Sequence, residues 1–486
     1  MMEDMVLKSR RLLVGLLLAA DSCGLVAQEV TYSFADAKSR MLHASDALKV
    51  ADVGVQIARK EQGRAAAWWW PLIQMEGMYA HLSEEVEVRQ SLSHFTDPAK
   101  AYIQSIFPSE ELISGLLDEV GHYTLTFPLL PKDLFSADLT AEWVVFGGGK
   151  RIFADKMARR MVDVAQINNS RVEATEVVLL VERYYGLVLA EKTVDVCRKR
   201  YEGLLTHYDH AVKLEAVGMA DKAERLFAKV AMEEALRELE RAQSAEQVCQ
   251  MALKRMLDVT DEELRIVPSS SLFMSHHLPP RELFQQAMLG SNPTLNTLYV
   301  EEQMAGEKLR IDQSAYLPDV ALFGKQTLYA HGIPSNLMPR TIVGVGLTWN
   351  IFDGLDRERQ ISQTRLARQS LAWSREAAEN ECATAVDELY ATLLQTEQEV
   401  CVLNTTIALN EELLRMRRAS FAEGIATSAE VVDAENTLSE VRLARLAAYY
   451  AYDIALVNLL ALCGMIDSFE EYNTQLSSND FENMRR

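Results

Sequence analysis

The sequence predicts a mainly α-helical protein made of two related halves, each with a β-hairpin suited to a membrane. A Trp-x-x-Phe-x-Gly pattern begins at Trp143 and again at Trp349, 206 residues later. A Gly follows each Trp at the same spacing, at Gly218 and Gly424. Such a register indicates one duplicated structural unit. Only 12 Pro and 22 Gly occur among 486 residues, which favours long helices over loops.

Composition narrows the functional classes. The net charge of −21 and the interleaving of Arg and Lys with Glu argue against a nucleic acid partner. No motif indicates an enzyme, a metal site or a cofactor. The cysteines form no CxxC pair, so those of the mature chain are expected to be buried small apolar residues, and a disulfide remains open. The six are Cys23, Cys197, Cys249, Cys382, Cys401 and Cys463.

The N-terminus has the pattern of an export signal. Three basic residues within residues 8–11 precede an apolar run at residues 12–20. This run is shorter than the ~20 residues that a transmembrane helix needs. Leu-Val-Ala at residues 25–27 suits cleavage, so residues 1–27 are predicted to be a signal peptide. Cys23 offers lipoprotein processing as an alternative, although the Ala-Asp-Ser before it is a poor lipobox.

Each half is predicted to open with helix. Residues 34–64 and 281–314 have helix-like spacing, and each segment is followed by an aromatic-apolar-Pro group ending at Pro71 or Pro318. The offset between these two prolines exceeds that of the Trp pair, so the first half carries a 41-residue insertion between Pro71 and Trp143. A short helix is expected at residues 110–119. A plain surface loop is favoured over a ligand-binding lid.

The strands are recognised by alternation. Residues 137–145 and 343–351 alternate apolar with small or polar side chains, which is typical of a half-buried strand. Each has a partner after the Pro, at residues 73–82 and 320–330. Export and interfacial aromatic residues favour lipid over an ordinary soluble hairpin. The predicted membrane-interface aromatics are Trp143, Trp349, Tyr79 and Tyr329.

The longest predicted helices are residues 152–217 and 358–423, which contain no Pro. Each would extend about 100 Å. Both carry a seam with 3-4 spacing in one phase, which predicts coiled-coil packing. In the second half the seam is Val386, Leu389, Leu393, Thr396, Val400, Leu403, Ile407, Asn410 and Leu414. In the first half it is Leu180, Arg183, Leu187, Ala190, Val194, Cys197, Tyr201, Leu204 and Tyr208. The polar interruptions are interpreted as register or solvation devices, with a wet interior as the alternative.

Each long helix is predicted to turn at its Gly and return as a second helix. These returning helices run to about Val259 and Leu462. The boundaries are therefore 28–266 for the first repeat, 267–280 for a polar linker, 281–464 for the second repeat and 465–486 for an acidic tail.

Four strands cannot close a barrel, and open strand edges are not tolerated in lipid. The chain must therefore form an oligomer if its strands cross a membrane. Cyclic symmetry would then arrange the helical hairpins as a hollow cylinder.

The chain resembles the TolC family of outer membrane efflux proteins. The resemblance rests on the duplicated order of elements, the Pro after each first helical segment (in Leu-Pro at residues 317–318), the strand end at residues 347–354 and the glycine turns followed by Ala-Glu. It implies a homotrimer with a 12-stranded β-barrel in the outer membrane of a Gram-negative bacterium and an α-helical periplasmic tunnel. It also implies a periplasmic adaptor and an inner-membrane pump or ABC transporter as partners, in efflux or type I secretion.

The resemblance implies two functional sites at the glycine turns. The helix tips would contact the adaptor, through Val217, Gly218, Met219, Glu423, Gly424 and Ile425. Glu423 departs from the family's Val-Gly-Leu pattern, which puts docking at the second tip in doubt. Acids facing the pore would be Glu430 and Asp433 in the second half and Glu224 in the first, where Phe227 replaces the other acid. A solvated helix face is the alternative for these acids.

Members of the family can hold a closed tip with polar links. Phe421 lacks a hydroxyl, so a link here would use other groups, such as Arg417, Arg418 or Asp221. A secreted coiled-coil scaffold or adhesin without transport activity is the alternative to a channel.

Overall fold

The computed structural model describes residues 29–106, 111–261, 263–275, 278–332 and 339–472. The predicted signal peptide, Cys23 and most of the acidic tail lie outside this part. Two units are present. The helical unit comprises residues up to 58, 160–303 and from 369 onward, and the sheet unit comprises residues 59–159 and 304–368.

Ten α-helices are numbered in chain order within the described residues. In the first half they are α1 (Phe34–Ala44), α2 (Asp46–Ala67), α3 (Ser93–Ile106), α4 (Glu111–Gly121), α5 (Lys150–Ala216) and α6 (Lys222–Met256). In the second half they are α7 (Arg281–Ser291), α8 (Pro293–Ser314), α9 (Asp356–Ala422) and α10 (Ser428–Leu462). A short 3₁₀ turn, Ile466–Ser468, follows.

Eight strands are described. They are β1 (Glu29–Tyr32), β2 (Leu72–His81), β3 (Val86–Ser91), β4 (Thr124–Leu130), β5 (Asp133–Gly147), β6 (Arg265–Pro268), β7 (Asp319–His331) and β8 (Thr341–Thr348). In the sheet unit, β2, β5, β7 and β8 form one antiparallel sheet in that order. The two predicted hairpins are therefore confirmed, and they are joined edge to edge through β5 and β7.

The repeated register is visible in the helix lengths. Helices α1 and α7 have 11 residues each, α2 and α8 have 22, α5 and α9 have 67, and α6 and α10 have 35. The first two pairs start at the offset that separates Pro71 from Pro318, and the last two at the offset that separates the Trp pair. The long helices are thus confirmed, with ends close to those predicted.

The core of the helical unit follows the predicted seams. On α9, Val386, Leu393 and Val400 are buried, and Leu180, Leu187 and Val194 are their counterparts on α5. Burial at every seventh residue is what coiled-coil packing requires. Arg183 is exposed, so this seam position of α5 faces water.

Three expectations fail. The first predicted helix of each half is two helices, because the chain bends at Ser45 and at Asn292, the residue before Pro293. The insertion is not a plain loop: β3 and β4 pair, and α3 and α4 lie between them in sequence. Cys401 is exposed, because it lies off the α9 seam, whereas Cys197 and Cys463 are buried as expected. No disulfide joins the described cysteines.

The predicted linker also contributes to the core. Strand β6 runs parallel to β1, and Phe273 and Met274 beyond it are buried. Burial of these apolar side chains holds the linker against the core. The polar composition of the linker did not predict this packing. Among the described residues, no helix combines the length and the apolar character needed to cross a membrane.

Candidate functional site: the helical tips and the apolar sheet face

The two tips are built by the same backbone device. We call residues 217–221 the first tip and residues 423–427 the second tip. Gly218 has φ +78° and Gly424 has φ +73°. The amide after each Gly reaches back to the helix, from Met219 to the Leu214 carbonyl at 2.9 Å and from Ile425 to the Ser420 carbonyl at 2.9 Å. Gly is used because the left-handed conformation costs an L side chain roughly 1–2 kcal/mol.

The returning helices start alike as well. Asp221 caps α6 by accepting a hydrogen bond from the Glu224 amide at 3.0 Å. Thr427, at the equivalent position of the second half, caps α10 by accepting from the Glu430 amide. The Glu430 carboxylate in turn accepts from the Thr427 amide at 3.0 Å, which completes a capping box. Asp221 therefore has a structural role in the helix cap.

The three acids predicted for the aperture lie in different environments. The Glu430 carboxylate also accepts a hydrogen bond from Arg417 at 2.9 Å, so its charge is largely paired. Glu224 accepts from the backbone amide of Ser428, at 2.6 Å, and so links α6 to the start of α10. Asp433 has an exposed side chain. Of the three, Asp433 has the carboxylate most available to a solvated ion.

A second arginine pair lies one turn further from the second tip. Arg418 donates to the Glu435 carboxylate at 2.6 Å, and the Glu435 side chain is only 6% exposed. Burial raises the pKa of Glu435, against the effect of Arg418. Gly203 makes room for the pair: a Cβ there would lie 2.6 Å from Arg418 Nη2 and 2.7 Å from Glu435 Oε1.

The outer surface of the tips is apolar. Val217 and Ile425 are 69% and 76% exposed, and Met219 is exposed too. The Met219 methyl lies 3.8 Å from where a Cβ on Gly424 would be, so the two tips are neighbours within the helical unit. Glu423 is also exposed. The predicted contact residues therefore form one accessible surface.

Behind the tips, His207 of α5 joins three helices. It is buried, its Nε2 lies 2.5 Å from the Ser428 hydroxyl of α10, and its ring centroid is 4.5 Å from that of Phe421 of α9. Burial, followed by the charges of His210 and Arg418, lowers the pKa of His207 to about 4. The ring is thus neutral at pH 7. The sequence offered no signal for this residue, because its partners belong to the other half of the chain.

The sheet unit presents one continuous apolar face. Cross-strand partners place Ile73, Ala141 and Val343 in one row, and Trp143, Leu322 and Val345 in another. Val343 is 80% exposed, and Ile73 and Val345 are exposed as well. The opposite face carries polar residues such as Gln74 and Thr140. A sheet with a solvent-exposed apolar face needs another apolar medium or partner to cover it.

Two of the predicted interface aromatics, Trp143 and Trp349, lie at the helix-proximal end of this sheet and make equivalent contacts. The Trp143 indole donates to the Trp69 carbonyl at 3.0 Å, and the Trp349 indole donates to the Tyr316 carbonyl at 3.1 Å. Both side chains are partly exposed. An amphipathic ring with a satisfied N–H suits a boundary between lipid and water. Tyr79 and Tyr329 are exposed as well, and Tyr79 donates to Asp133.

Arg357 is a positioning residue that the sequence argument missed. It is 8% exposed and donates to the carbonyls of Ala315, Asn350 and Ile351, while its guanidinium lies 4.5 Å from the Tyr316 ring centroid. Arg151, at the equivalent position of the first half, stacks over Trp69 in the same way. The register therefore contained the signal, as a repeated Arg after each strand.

Residues 284–465 match the family model described as outer membrane efflux protein. The second half of the chain is therefore similar to outer membrane efflux proteins. A search of curated proteins found no match.

Several solved structures share the fold of this chain. CusC matches with a TM-score of 0.70 and 16% identity, over 89% of this chain and 92% of that one. VceC of Vibrio cholerae has a TM-score of 0.68 and 15% identity, covering 89% and 96%. The CmeC channel of Campylobacter jejuni has a TM-score of 0.67 and 13% identity, covering 90% and 89%.

The resemblance to the TolC family is thereby confirmed. The matched family model describes outer membrane efflux proteins, VceC is an outer membrane protein, and CmeC is an outer membrane channel.

Proposed function

We propose that this protein is the outer membrane exit duct of a tripartite exporter, assembled as a homotrimer. The supporting observation is the sheet. Its two outer strands, β2 and β8, each have one edge without a partner among the described residues. Its apolar face is exposed. Three copies joined β8 to β2 would give twelve strands, close every edge and turn the apolar face to lipid.

The helices support the same assembly. An exposed apolar stripe with heptad-like spacing runs along α9, away from the intrachain seam. It consists of Val402, Leu409, Leu413 and Met416. A stripe of this kind fits a neighbouring helix of a second copy. The matched helix lengths support duplication of one unit as the origin of the fold.

The two tips are proposed to bind a periplasmic adaptor protein. Exposed Val217, Met219 and Ile425 form an apolar surface that an adaptor's helical hairpin could cover. The inner-membrane pump or ABC transporter would supply energy and choose the cargo, and the duct would only open and close. Arg417–Glu430 and Arg418–Glu435 would be the polar links that brace the second hairpin in the closed state.

Pore formation is the direct test. Purified protein in planar bilayers should give cation-preferring pores, because three Asp433 carboxylates would concentrate cations at a narrow mouth. Asp433→Ala should lower the cation preference more than Glu430→Ala, since Glu430 is paired with Arg417. Glu440→Ala, an exposed acid further along α10, is the matched control. Equal selectivity in all variants would remove these acids from the aperture.

Assembly needs its own measurement. Outer membrane fractions should contain a heat-modifiable trimer, and cysteines placed on β2 and β8 should crosslink between copies. A monomer that stays soluble without detergent would instead support the secreted scaffold. Cysteines at positions 217 and 425 should capture an adaptor, and an equivalent cysteine at exposed Gln247 should not.

A further inference from the structure

The junction behind the tips is the strongest unassigned feature of the helical unit. His207 of α5 contacts the Ser428 hydroxyl at 2.5 Å. The backbone amide of the same Ser428 donates to Glu224 of α6 at 2.6 Å. One residue at the start of α10 is therefore held from both helices of the first hairpin. Ser428 is fully buried and His207 is 4% exposed, so water does not substitute for either bond.

The surroundings of His207 do not suit a positive ring. Its ring packs on Phe421, and its Nε2 points at the first turn of α10, where helix amides concentrate positive potential. Ala211, Ala228 and Val431 belong to the apolar cluster that Phe421 helps form. Charged groups lie around it on all four helices: His210 on α5, Glu224 on α6, Arg417 and Arg418 on α9, Glu430 and Glu435 on α10.

Most of this charge is already engaged. Glu430 and Glu435 are paired with Arg417 and Arg418, and Glu224 is held by the Ser428 amide. Among the described residues, the His207 ring bonds to the Ser428 hydroxyl and to no carboxylate. A proton on His207 would therefore be accommodated by exposing the ring, which means parting α5 from α10.

We propose that His207 is an acid sensor of the aperture: protonation of its ring releases the start of α10 from α5 and lets the two helical hairpins separate. This rests on the channel function proposed above. The proposal concerns regulation of that channel by periplasmic acidity. Protonation of His207 would act in addition to the Arg417–Glu430 and Arg418–Glu435 pairs of the second hairpin.

The direction follows from linkage. In the closed junction the His207 pKa is about 4, whereas an exposed histidine titrates near 6.5. The junction therefore has its full stability above pH 6.5, and that stability is lost as the pH falls towards 4. The ratio of separated to closed junction should rise about twenty-fold between neutral pH and pH 5.

The experiment compares three proteins in planar bilayers from pH 7.5 to 4.5. Wild type should open increasingly as the pH falls. His207→Gln, whose amide can still bond to Ser428 but does not titrate, should lose that rise. His43→Gln, at an exposed position of α1, should behave as wild type. An unchanged acid response in His207→Gln would overturn the proposal, since the aperture acids would then account for it.

Hydrogen exchange at residues 427–435 separates this inference from the channel function. The ratio of exchange rates between wild type and His207→Gln at each pH removes the intrinsic pH effect. Ser428→Ala should loosen this turn already at pH 7.5. If residues 427–435 exchange faster in acid only when His207 is present, but the protein forms no pores, the proposed channel function is refuted and the acid response of the junction stands. Pores that ignore pH while the turn loosens would refute the link to the aperture.

Discussion

The two helical hairpins of this chain share a backbone and differ in charge. Both tips use a left-handed Gly followed by a side-chain cap three residues later, at equivalent positions. The ion pairs are not equivalent. The first hairpin is joined by Arg225–Glu215 and Arg200–Glu238, and the second by Arg417–Glu430 and Arg418–Glu435.

The difference shows which features a repeated fold must keep. A turn has few solutions, because backbone amides and carbonyls at a helix end must be satisfied. Side-chain pairs across a seam have many solutions of similar energy, so they can diverge. The second hairpin has also acquired a buried acid, Asp453, where the first has exposed Gln247.

Asp453→Asn should give the largest effect on stability. The Asp453 carboxyl is fully buried, and no side chain of the described residues donates a hydrogen bond to it. Burial raises its pKa well above the usual range, against a weaker effect of the Phe273 backbone. A raised folded pKa gives stability that is complete below pH 4 and falls as the pH rises, by up to about 1.4 kcal/mol per pH unit. The variant should lose this slope.

Urea unfolding of the detergent-solubilised protein at several pH values measures how the free energy of unfolding depends on pH. Asp433→Asn, at an exposed position of the same helix, should keep the wild-type slope. If wild type and Asp453→Asn respond equally to pH, the buried acid is not what distinguishes the second hairpin.

Arg357→Ala should destabilise the second strand-to-helix corner by about 2–4 kcal/mol, because three carbonyls lose a charged donor. Arg151→Ala removes only a stacking contact over Trp69 and should cost about 0.5–1 kcal/mol. Thermal unfolding followed by far-UV circular dichroism compares the two. Equal losses would mean that both corners depend on arginine to the same degree.

Gly203→Ala should destabilise the helical unit by about 1–2 kcal/mol, although Ala is the better helix former. The new Cβ would displace the Arg418–Glu435 pair from α5. Gly186→Ala, in the same helix, meets only the Tyr450 hydroxyl at 3.7 Å and should stabilise by about 0.5–1 kcal/mol. Opposite signs in urea unfolding would confirm that the pair needs the glycine, and a gain in both variants would show that it does not.

Gly218→Ala and Gly424→Ala should each destabilise the protein by about 1 kcal/mol, and the two losses should be alike. Hydrogen exchange of the Met219 and Ile425 amides reports each tip. Asn at either position should cost less than Ala, because Asn tolerates the left-handed conformation better. A clearly unequal pair of losses would show that the tips are not the shared feature of the two hairpins.

The sequence was informative where a periodic pattern meets a simple rule. The seams, the glycine turns and the alternating strands each depend on neighbours within a few positions, so Leu393, Gly424 and Val345 could be placed in advance. The secondary structure of the insertion was harder to predict, because α3 and α4 have no counterpart in the second half of the chain. Cys401 was misplaced because a residue type was used instead of its position on the seam.

By itself, the sequence determined the long helices, their glycine turns and the paired strands, since these follow from helix and strand periodicity and from the register between Trp143 and Trp349. Only the tertiary structure decided what the charged residues do. In it, Glu224 accepts a hydrogen bond from the first turn of α10, Glu430 pairs with Arg417, and His207 is buried against Ser428. These roles join residues far apart in the chain, and charge interactions depend on distance and burial, which spacing along a chain does not fix.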